Sequence, residues 1–399
     1  MANSLTALSP TYWSKIMGIK LYKKNVFRSI ASFREEAVLR DGQIVDRPYR
    51  ADIYVGAYTK GTALTAQDIT ATTDPLTVNK IFAALIYVDN VDKIQNKWDA
   101  AAAWSEEATT RLSNQIDAEC LYLARSATDT VDYNDLDSNQ TAGAPIVLTT
   151  TNVLNMFTVT ARKLDVNNVD SEKRFFVISP QVKQILLTYL AGRESILGDK
   201  TGEAGNIGHY MGFALYVSNN LTAHIRWTPT DDPSNTETLV VNGVTFTFVT
   251  TIGSTAGNVL AGASALADTL DNLVTLINTP GTTTATGVAF ATTNLASLQR
   301  GWVAVDGTTY IDIYIKGAST ITKSGTAEGT TTYVKQLNLA GEKGACDLVI
   351  QKEPSVYMDS TVSAGKAGMN ILPLTLFAAG VFQDMKARIF SVEVDGSSF

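Results

Sequence analysis

The sequence predicts an α+β fold, and three features carry that prediction. Residues 94–126 contain neither Gly nor Pro and place apolar side chains at steps of three or four, which is typical of one long amphipathic helix. The stretch RFFVI at 174–178 is typical of a buried strand. Asn242-Gly243 and Asp306-Gly307 each stand between short apolar runs, a pattern that strongly indicates a β-hairpin.

The first 95 residues are expected to hold an arm and a long excursion. Residues 1–45 begin as an irregular arm and end in a short helical or mixed piece, FREEAVLRDGQIV. From Arg47 to Gln95, β-branched and aromatic residues cluster at both ends, and Thr, Gly and Asp fill the middle. This pattern predicts a two-stranded excursion with a flexible tip. Because an isolated hairpin is marginal in water, we expect the excursion to lie on another surface.

The predicted helix at 94–126 is about 33 residues long, which corresponds to roughly 50 Å. Its narrow apolar stripe is typical of a scaffold helix packed on a sheet. Its carboxylates lie scattered around the polar faces, which argues against a paired acid/base site: Glu106, Glu107, Asp117 and Glu119.

Beyond the long helix, further helices and strands alternate. TNVLNMFTVTARKLD predicts a second helix, and PQVKQILLTYLAG predicts a third, with Ser179 as its cap and Pro180 at the first helical position. Phe213–Val217 is expected to form a strand. The tail from Ala345 to Phe399 alternates strand-like runs with Gly and Pro.

The composition changes near Arg226. Between Trp227 and Lys343, threonine makes up roughly a fifth of the residues and charges are sparse. This stretch holds both hairpin signals and a short amphipathic helix, ADTLDNLVTLIN. We therefore expect a separate, mostly β domain that is inserted into a chain resuming at GACDLVIQKEP.

Composition and charge narrow the possible functions. The 399 residues are 45% apolar and 18% charged, which is typical of a soluble globular protein. The net charge of −7 argues against a uniformly basic surface that coats nucleic acid. Residues 1–60 nevertheless carry ten Lys/Arg and only five acids. Such a basic arm suits an acidic partner or nucleic acid, although the same composition is typical of a solvated surface.

The sequence gives little indication of a bound cofactor, a metal site or a membrane-spanning segment. Two cysteines, Cys120 and Cys346, and two histidines, His209 and His224, are poor material for a zinc site, and we expect the thiols to be reduced. No signal peptide is visible at the N-terminus, and no apolar stretch approaches the roughly 20 residues that cross a bilayer.

The stretch GRESILGDKTG at 192–202 superficially resembles a phosphate-binding loop. Five residues separate Gly192 from Gly198, where such a loop needs four, and Asp199 precedes Lys200. A predicted helix also stands before Gly192, where the loop requires a strand. The sequence therefore predicts no nucleotide site at Lys200 and Thr201.

The glycines of GEAGNIGHYMG open onto a strand, whereas a dinucleotide-binding fingerprint leads from a strand into a helix. His209 and His224 have no Ser, Cys or orienting acid near them in the sequence, so both are interpreted as turn histidines. We accordingly predict no catalytic, cofactor-binding or metal-binding residue and no enzyme activity.

Several phrases occur in an order that resembles the major capsid proteins of tailed bacteriophages with the Hong Kong 97-like fold. They are DGQIVDRPYRADIYV, LTVNKIFAALIYVDNVDKIQ, RFFVISPQVKQILL and GHYMGFALYVSNNL. The resemblance covers residues 1–226 and 345–399. It implies the following division: 1–45, N-terminal arm; 46–90, extended loop over a neighbouring subunit; 91–151, peripheral domain with the spine helix; 152–226, axial domain; 227–343, inserted Thr-rich β domain; 344–399, return to the axial and peripheral domains.

By this resemblance the chain assembles with itself, in hexamers and pentamers, into the icosahedral shell of a virion built in the host cytoplasm. The implied partners are a portal, a separate scaffolding protein, a cement or decoration protein and packaged double-stranded DNA on the inner face; no membrane and no cofactor are implied. The inserted stretch departs from the minimal family pattern. The long helix begins too early for a scaffolding segment of roughly a hundred residues before it, and no cross-linking Lys/Asn pair can be assigned.

Two alternatives remain open at this point. The first is an encapsulin-like compartment, which has the same fold and encloses cargo enzymes. The second is a phage or cell-surface binding protein whose Thr-rich domain recognises glycans, which predicts a small soluble oligomer instead of a shell.

Overall fold

The computed structural model describes residues 25–39, 42–50, 53–63, 65–69, 71–89, 100–192, 208–261, 265–318, 320–327, 329–363 and 366–396. The helices are α1 (Ala100–Leu121), α2 (Tyr133–Leu136), α3 (Val153–Val166), α4 (Pro180–Ala191), α5 (Leu266–Asn278) and α6 (Thr292–Gly301). The strands are β1 (Ile44–Arg50), β2 (Ala71–Thr77), β3 (Lys80–Ala83), β4 (Ile86–Asp89), β5 (Asp129–Val131), β6 (Arg174–Ile178), β7 (His209–Tyr210), β8 (Phe213–Val217), β9 (Thr222–Thr228), β10 (Thr238–Val241), β11 (Val244–Val249), β12 (Asn258–Leu260), β13 (Trp302–Asp306), β14 (Ile311–Ile315), β15 (Lys323–Gly325), β16 (Thr330–Glu342), β17 (Asp347–Ser363), β18 (Lys366–Gly380) and β19 (Ile389–Asp395).

A nine-stranded mixed sheet forms the body, in the order β13-β14-β9-β16-β6-β8-β7, with β19 beside β16 and β5 beside β19. The long strand β16 pairs with β9 along its first half and with β6 at its end. Helices α3 and α4 pack with this sheet around Phe157, Phe176 and Phe213, whose rings lie 5.2–6.3 Å apart. The predicted strands β6 and β8 and the predicted helices α3 and α4 are confirmed.

Local chemistry starts α4 where the sequence indicates. Ser179 has extended backbone geometry, and its side chain accepts a hydrogen bond from the Val182 N–H. Pro180 follows at the first helical position, where its missing N–H costs no helical hydrogen bond. The predicted cap is therefore confirmed.

A second, four-stranded sheet contains the long β17–β18 hairpin, with β3 and β4 both paired to β18. The sequence predicts one long two-stranded excursion from Arg47 to Gln95, and this is only partly right. β1 pairs with β2 over seven residues, and we call this pair the ribbon. After Thr77 the chain leaves the ribbon, and β3 and β4 pair with β18 instead of with β1.

The predicted long helix is α1, with 22 residues from Ala100 to Leu121, and we call it the spine helix. The sequence extends it to Ser126, but α-helical geometry ends at Leu121 and Tyr122–Ser126 form a 3₁₀ helix. Such tightened turns are common at helix ends, where the last carbonyls lack α-helical partners. The predicted residues 94–99 lie outside the described residues.

The inserted stretch, residues 227–343, contains both predicted hairpins and the predicted short helix α5. Asn242 and Gly243 both have positive φ, 45° and 76°, as a type I′ turn requires. β10, β11, β12 and β15 form a small sheet of their own, but β13 and β14 join the central sheet beside β9. Ala223 and Ile225 of β9 belong to the same apolar cluster as the inserted core, so this core extends back to β9.

Candidate subunit-interaction surface

The end of the ribbon exposes apolar side chains. Residues 53–63 and 65–69, the ribbon tip, form no strand, although they lie within the predicted two-stranded excursion. Gln67 links the two sides of the tip, because its side chain accepts a hydrogen bond from the Tyr54 N–H and donates one to the Tyr54 C=O. Gly61, at φ 90°, lies in a turn in which the Thr62 N–H donates a hydrogen bond to the Thr59 C=O. The large exposed side chains are Ile53, Tyr54 (80% exposed), Val55 (96% exposed), Tyr58 and Ile69.

Contacts at the base of the ribbon hold it against the tail. Arg47 forms an ion pair with Asp384 at 3.0 Å, and its guanidinium lies 4.9 Å from the centre of the Phe382 ring. On β2, the Asp74 carboxylate accepts a hydrogen bond from the Gln383 N–H. Both strands of the ribbon are thereby tied to residues 382–384.

A groove of about 730 Å³ lies where three parts of the chain meet. One wall is the spine helix, the second is the limb of residues 82–86, and the third belongs to the inserted stretch. Arg111, Gln115 and Lys316 contribute polar groups to the lining. The apolar lining includes Phe82, Ile86, Trp104, Leu112, Trp302 and Ile315.

Trp104 is the most exposed large apolar side chain of this groove, at 49%. It lies one and two helical turns before Ala108 and Leu112, which line the same groove. The sequence interpretation assigned no role to this tryptophan. The groove itself depends on contacts between distant segments.

A buried ion junction joins the same three walls. The Glu119 carboxylate, 4% exposed, binds Lys316 at 2.7 Å through one oxygen and Lys80 at 3.4 Å through the other. Burial lowers the pKa of Lys316, and the neighbouring Glu119 carboxylate offsets only part of this decrease. The Lys316 ammonium also lies 4.7 Å from the centre of the Tyr122 ring. One carboxylate of the spine helix therefore connects β3 to the inserted stretch.

The interpretation of His224 as a turn residue is wrong. His224 is buried in β9, stacks on Tyr314 at 4.4 Å, and lies 2.9 Å from an Asp312 oxygen through Nε2. Arg226 binds both Asp312 oxygens at 2.8 Å. Burial raises the pKa of Asp312, but the hydrogen bonds from Arg226 and His224 outweigh it and lower the value to about 2. Strand pairing brings these groups together across 88 residues, and the network stabilises the β9–β14 pair.

The other candidate residues that the structure describes form no assembled site. His209 lies exposed on the short edge strand β7, and Lys200 and Thr201 lie outside the described residues. Cys120 and Cys346 are buried and unbridged. Burial raises the pKa of both thiols, that of Cys346 to about 12, so both stay protonated and unreactive at neutral pH.

Within the described part of the chain, no group of three or more His, Cys, Asp or Glu side chains is placed to hold a metal ion. Among the helices described, none has the length and apolar character to span a membrane.

Solved structures match this chain over nearly its whole length, whereas no protein-family model and no curated protein matches its sequence. A chain of Mycobacterium phage Che8 is 13% identical, with a TM-score of 0.58 over 97% of this chain and 98% of that one. A chain in the capsid structure of cyanophage P-SCSP1u is 12% identical, with a TM-score of 0.52 over 100% of this chain and 96% of that one.

At such low identity these likenesses concern the fold. The predicted α+β class is confirmed, and the Hong Kong 97-like arrangement fits the observed elements. This chain therefore has the fold seen in the cyanophage capsid, as its resemblance to the major capsid proteins of tailed bacteriophages predicts.

Proposed function

We propose that this chain is the major capsid protein of a tailed phage and assembles into the icosahedral shell that encloses double-stranded DNA. The observation that carries the proposal is the likeness to a phage capsid chain over 100% of this chain. The likeness extends over the segments to which the proposal gives a role in assembly, which supports the proposal.

The mechanism is repeated association of identical chains. Quasi-equivalent contacts from arm, ribbon and spine helix each add a small area until a closed shell is stable. The exposed apolar tip of the ribbon supports this mechanism, since such side chains are favoured at interfaces between proteins. In this mechanism the protein acts by binding its own copies, without catalysis.

The roles of the individual segments follow from the resemblance and are part of the proposal. Residues 1–45 act as the arm, 46–90 as the extended loop, 91–151 as the peripheral domain and 152–226 as the axial domain, with 227–343 inserted and 344–399 returning to both domains. Hexamers and pentamers form the shell, and a portal, a separate scaffolding protein, a decoration protein and DNA on the inner face are its partners. The host cytoplasm is the place of assembly.

Negative-stain microscopy and light scattering of the purified protein, over a range of concentrations, test the proposal. We expect rings or closed shells of uniform diameter, and nuclease-protected DNA inside particles recovered from infected cells. A chain that stays monomeric or dimeric at every concentration contradicts it. Particles filled with an enzyme instead of DNA would favour the encapsulin-like alternative, and a small glycan-binding oligomer would favour the surface-binding alternative; no observation on the described residues favours either.

A further inference from the structure

The N-terminal arm enters the described part of the chain beside the groove that contains Trp104. The Val26 and Phe27 N–H groups donate hydrogen bonds of 3.0 and 2.9 Å to one oxygen of the buried Asp117 carboxylate, on the spine helix. The other Asp117 oxygen accepts a hydrogen bond of 2.8 Å from the Asn220 side chain, which lines the groove. The described course of the arm therefore begins two hydrogen bonds away from the groove wall.

Two buried amide oxygens lie at this junction. Asn25 Oδ1 and Asn114 Oδ1 have no hydrogen-bond partner among the described residues. Asn114 lines the groove about one helical turn before Asp117, and Asn25 directly precedes Val26. Because a buried amide oxygen without a donor costs free energy, both positions favour donors from the chain that comes before Asn25.

That chain contains an apolar segment, residues 12–22. Seven of its eleven residues are apolar or aromatic: Tyr12, Trp13, Ile16, Met17, Ile19, Leu21 and Tyr22. Removing such side chains from water is favourable by about 25 cal/mol per Å² of apolar surface, so the segment gains stability from an apolar binding surface. The lysines lie between and after these residues, where their long side chains can keep the charge in water at the edge of a groove: Lys15, Lys20, Lys23 and Lys24.

The segment is long enough to lie along the groove of its own chain. Tyr22 and Tyr12 precede Asn25 by three and thirteen residues, which corresponds to about 10 and 43 Å of extended chain. The groove follows the spine helix from Trp104 to Ala118, a length of about 21 Å. A segment that leaves Asn25 at one end of this path can therefore cover all of it.

We propose that the groove between the spine helix, the limb at 82–86 and the inserted stretch receives residues 12–22 of the same chain. Its volume of about 730 Å³ lies in the range of pockets that bury a ligand the size of a few large side chains. Its aromatic lining at Phe82, Trp104 and Trp302 suits the aromatic residues of the segment. The arm thereby holds the three groove walls together within one subunit, and this inference does not depend on the proposed function.

Cross-linking between cysteines placed on the segment and in the groove tests the proposal. The double variant Met17→Cys/Ser297→Cys is treated with a short bis-maleimide reagent, because Ser297 lines the groove on the side of the inserted stretch. The matched control is Met17→Cys/Glu353→Cys. Glu353 pairs with Arg28 at 2.7 Å, so it lies near the base of the arm but outside the groove lining. The native thiols are buried and react poorly.

Equal amounts of unlabelled and isotope-labelled chains are mixed before assembly, so that mass spectrometry separates links within one chain from links between two. We expect the Ser297 pair to give on the order of tenfold more intrachain product than the control pair. Equal yields from the two pairs would overturn the inference. Links that mainly join labelled to unlabelled chains would also overturn it, because the groove would then hold the segment of a second copy. If intrachain links form but no particles do, the proposed function fails and this inference stands.

Dye binding to the full-length chain is the second measurement. Trp13→Ser/Met17→Ser should increase the fluorescence of an added apolar dye, because the uncovered groove binds it. An exposed segment would give the opposite change, since the substitutions would remove apolar surface from water, and a decrease or no change would overturn the inference. Lys15→Ser/Lys20→Ser is the control and should leave dye binding as in the wild type.

Discussion

Removing the charge of Glu119 tests whether the buried ion junction holds the inserted stretch to the spine helix. Glu119→Gln keeps the shape of the side chain and removes its negative charge. Lys316, 7% exposed, then lacks its ionic partner at 2.7 Å. Lys80 is 37% exposed and can turn to water, so its loss adds little.

The magnitude follows from the burial of the pair. Breaking a buried ion pair by removing one partner costs about 3–5 kcal/mol of folding free energy. The Tyr122 ring, 4.7 Å from the Lys316 ammonium, and the remaining amide oxygen compensate in part. We therefore expect a loss of about 3 kcal/mol, which for a chain of this length corresponds to a melting temperature lower by about 4 °C if it unfolds as one unit.

Urea denaturation followed by circular dichroism measures the effect, with thermal melting as the second assay. Arg111→Gln is the matched control on the same helix. It breaks an exposed pair with Glu107, and such pairs contribute about 0.3–0.5 kcal/mol. The double variant Glu119→Leu/Lys316→Met replaces both charges by apolar groups and should recover most of the lost stability.

Two results would refute the reasoning. A Glu119→Gln variant within about 0.5 kcal/mol of wild type would mean that the junction contributes nothing measurable. A double variant as unstable as Glu119→Gln alone would mean that packing at this position, and not an unpaired buried charge, accounts for the loss.

Four further predictions concern other parts of the chain. Replacing residues 54–67 by a short Gly-Ser linker should leave a soluble, folded subunit that closes no stable shell; normal particles in the microscope would exclude the ribbon tip as an assembly element. A fragment of residues 222–343 should melt cooperatively as a β-rich domain. A fragment that starts at Trp227 should be less stable, because it lacks Ala223 and Ile225 of the shared core. If the fragment 222–343 is unfolded, the stretch does not fold autonomously. Burial raises the pKa of Asp347 to about 6, above the unfolded value of 3.8, so the stability that its protonated form contributes is complete below pH 4 and is lost as the pH rises through 6. The difference in unfolding free energy between the wild type and Asp347→Asn should therefore fall over this pH range. A difference that does not change with pH would refute the prediction. Lys200→Ala should change the free energy of unfolding by no more than about 0.5 kcal/mol and leave assembly intact, and ATP should not raise the melting temperature of the wild type. ATP bound at a hundred times its dissociation constant would add about 2.7 kcal/mol to that free energy. A rise in melting temperature with ATP that vanishes in Lys200→Ala would therefore reveal a nucleotide site.

Elements whose signals lie within a few residues could be predicted well. The cap at Ser179 and Pro180, the type I′ turn at Asn242-Gly243 and the helix α5 depend on local backbone geometry and side-chain periodicity. The order of such elements, together with four short phrases of sequence, carried the resemblance from which the capsid fold was predicted. The sequence could not indicate that His224 would face Asp312, because the pairing of β9 with β14 decides that contact.

The sequence by itself determined the kinds of elements, their order and the absence of a recognisable catalytic motif, because hydrophobic period, caps and turn residues act over one or two helical turns. Only the tertiary structure decided that β3 and β4 join β18, that β13 and β14 extend the central sheet, and that the groove beside Trp104 exists. These features depend on which surfaces meet across hundreds of residues. Such choices follow from the total apolar area buried and the hydrogen bonds completed by the whole chain, and no short stretch of sequence encodes them alone.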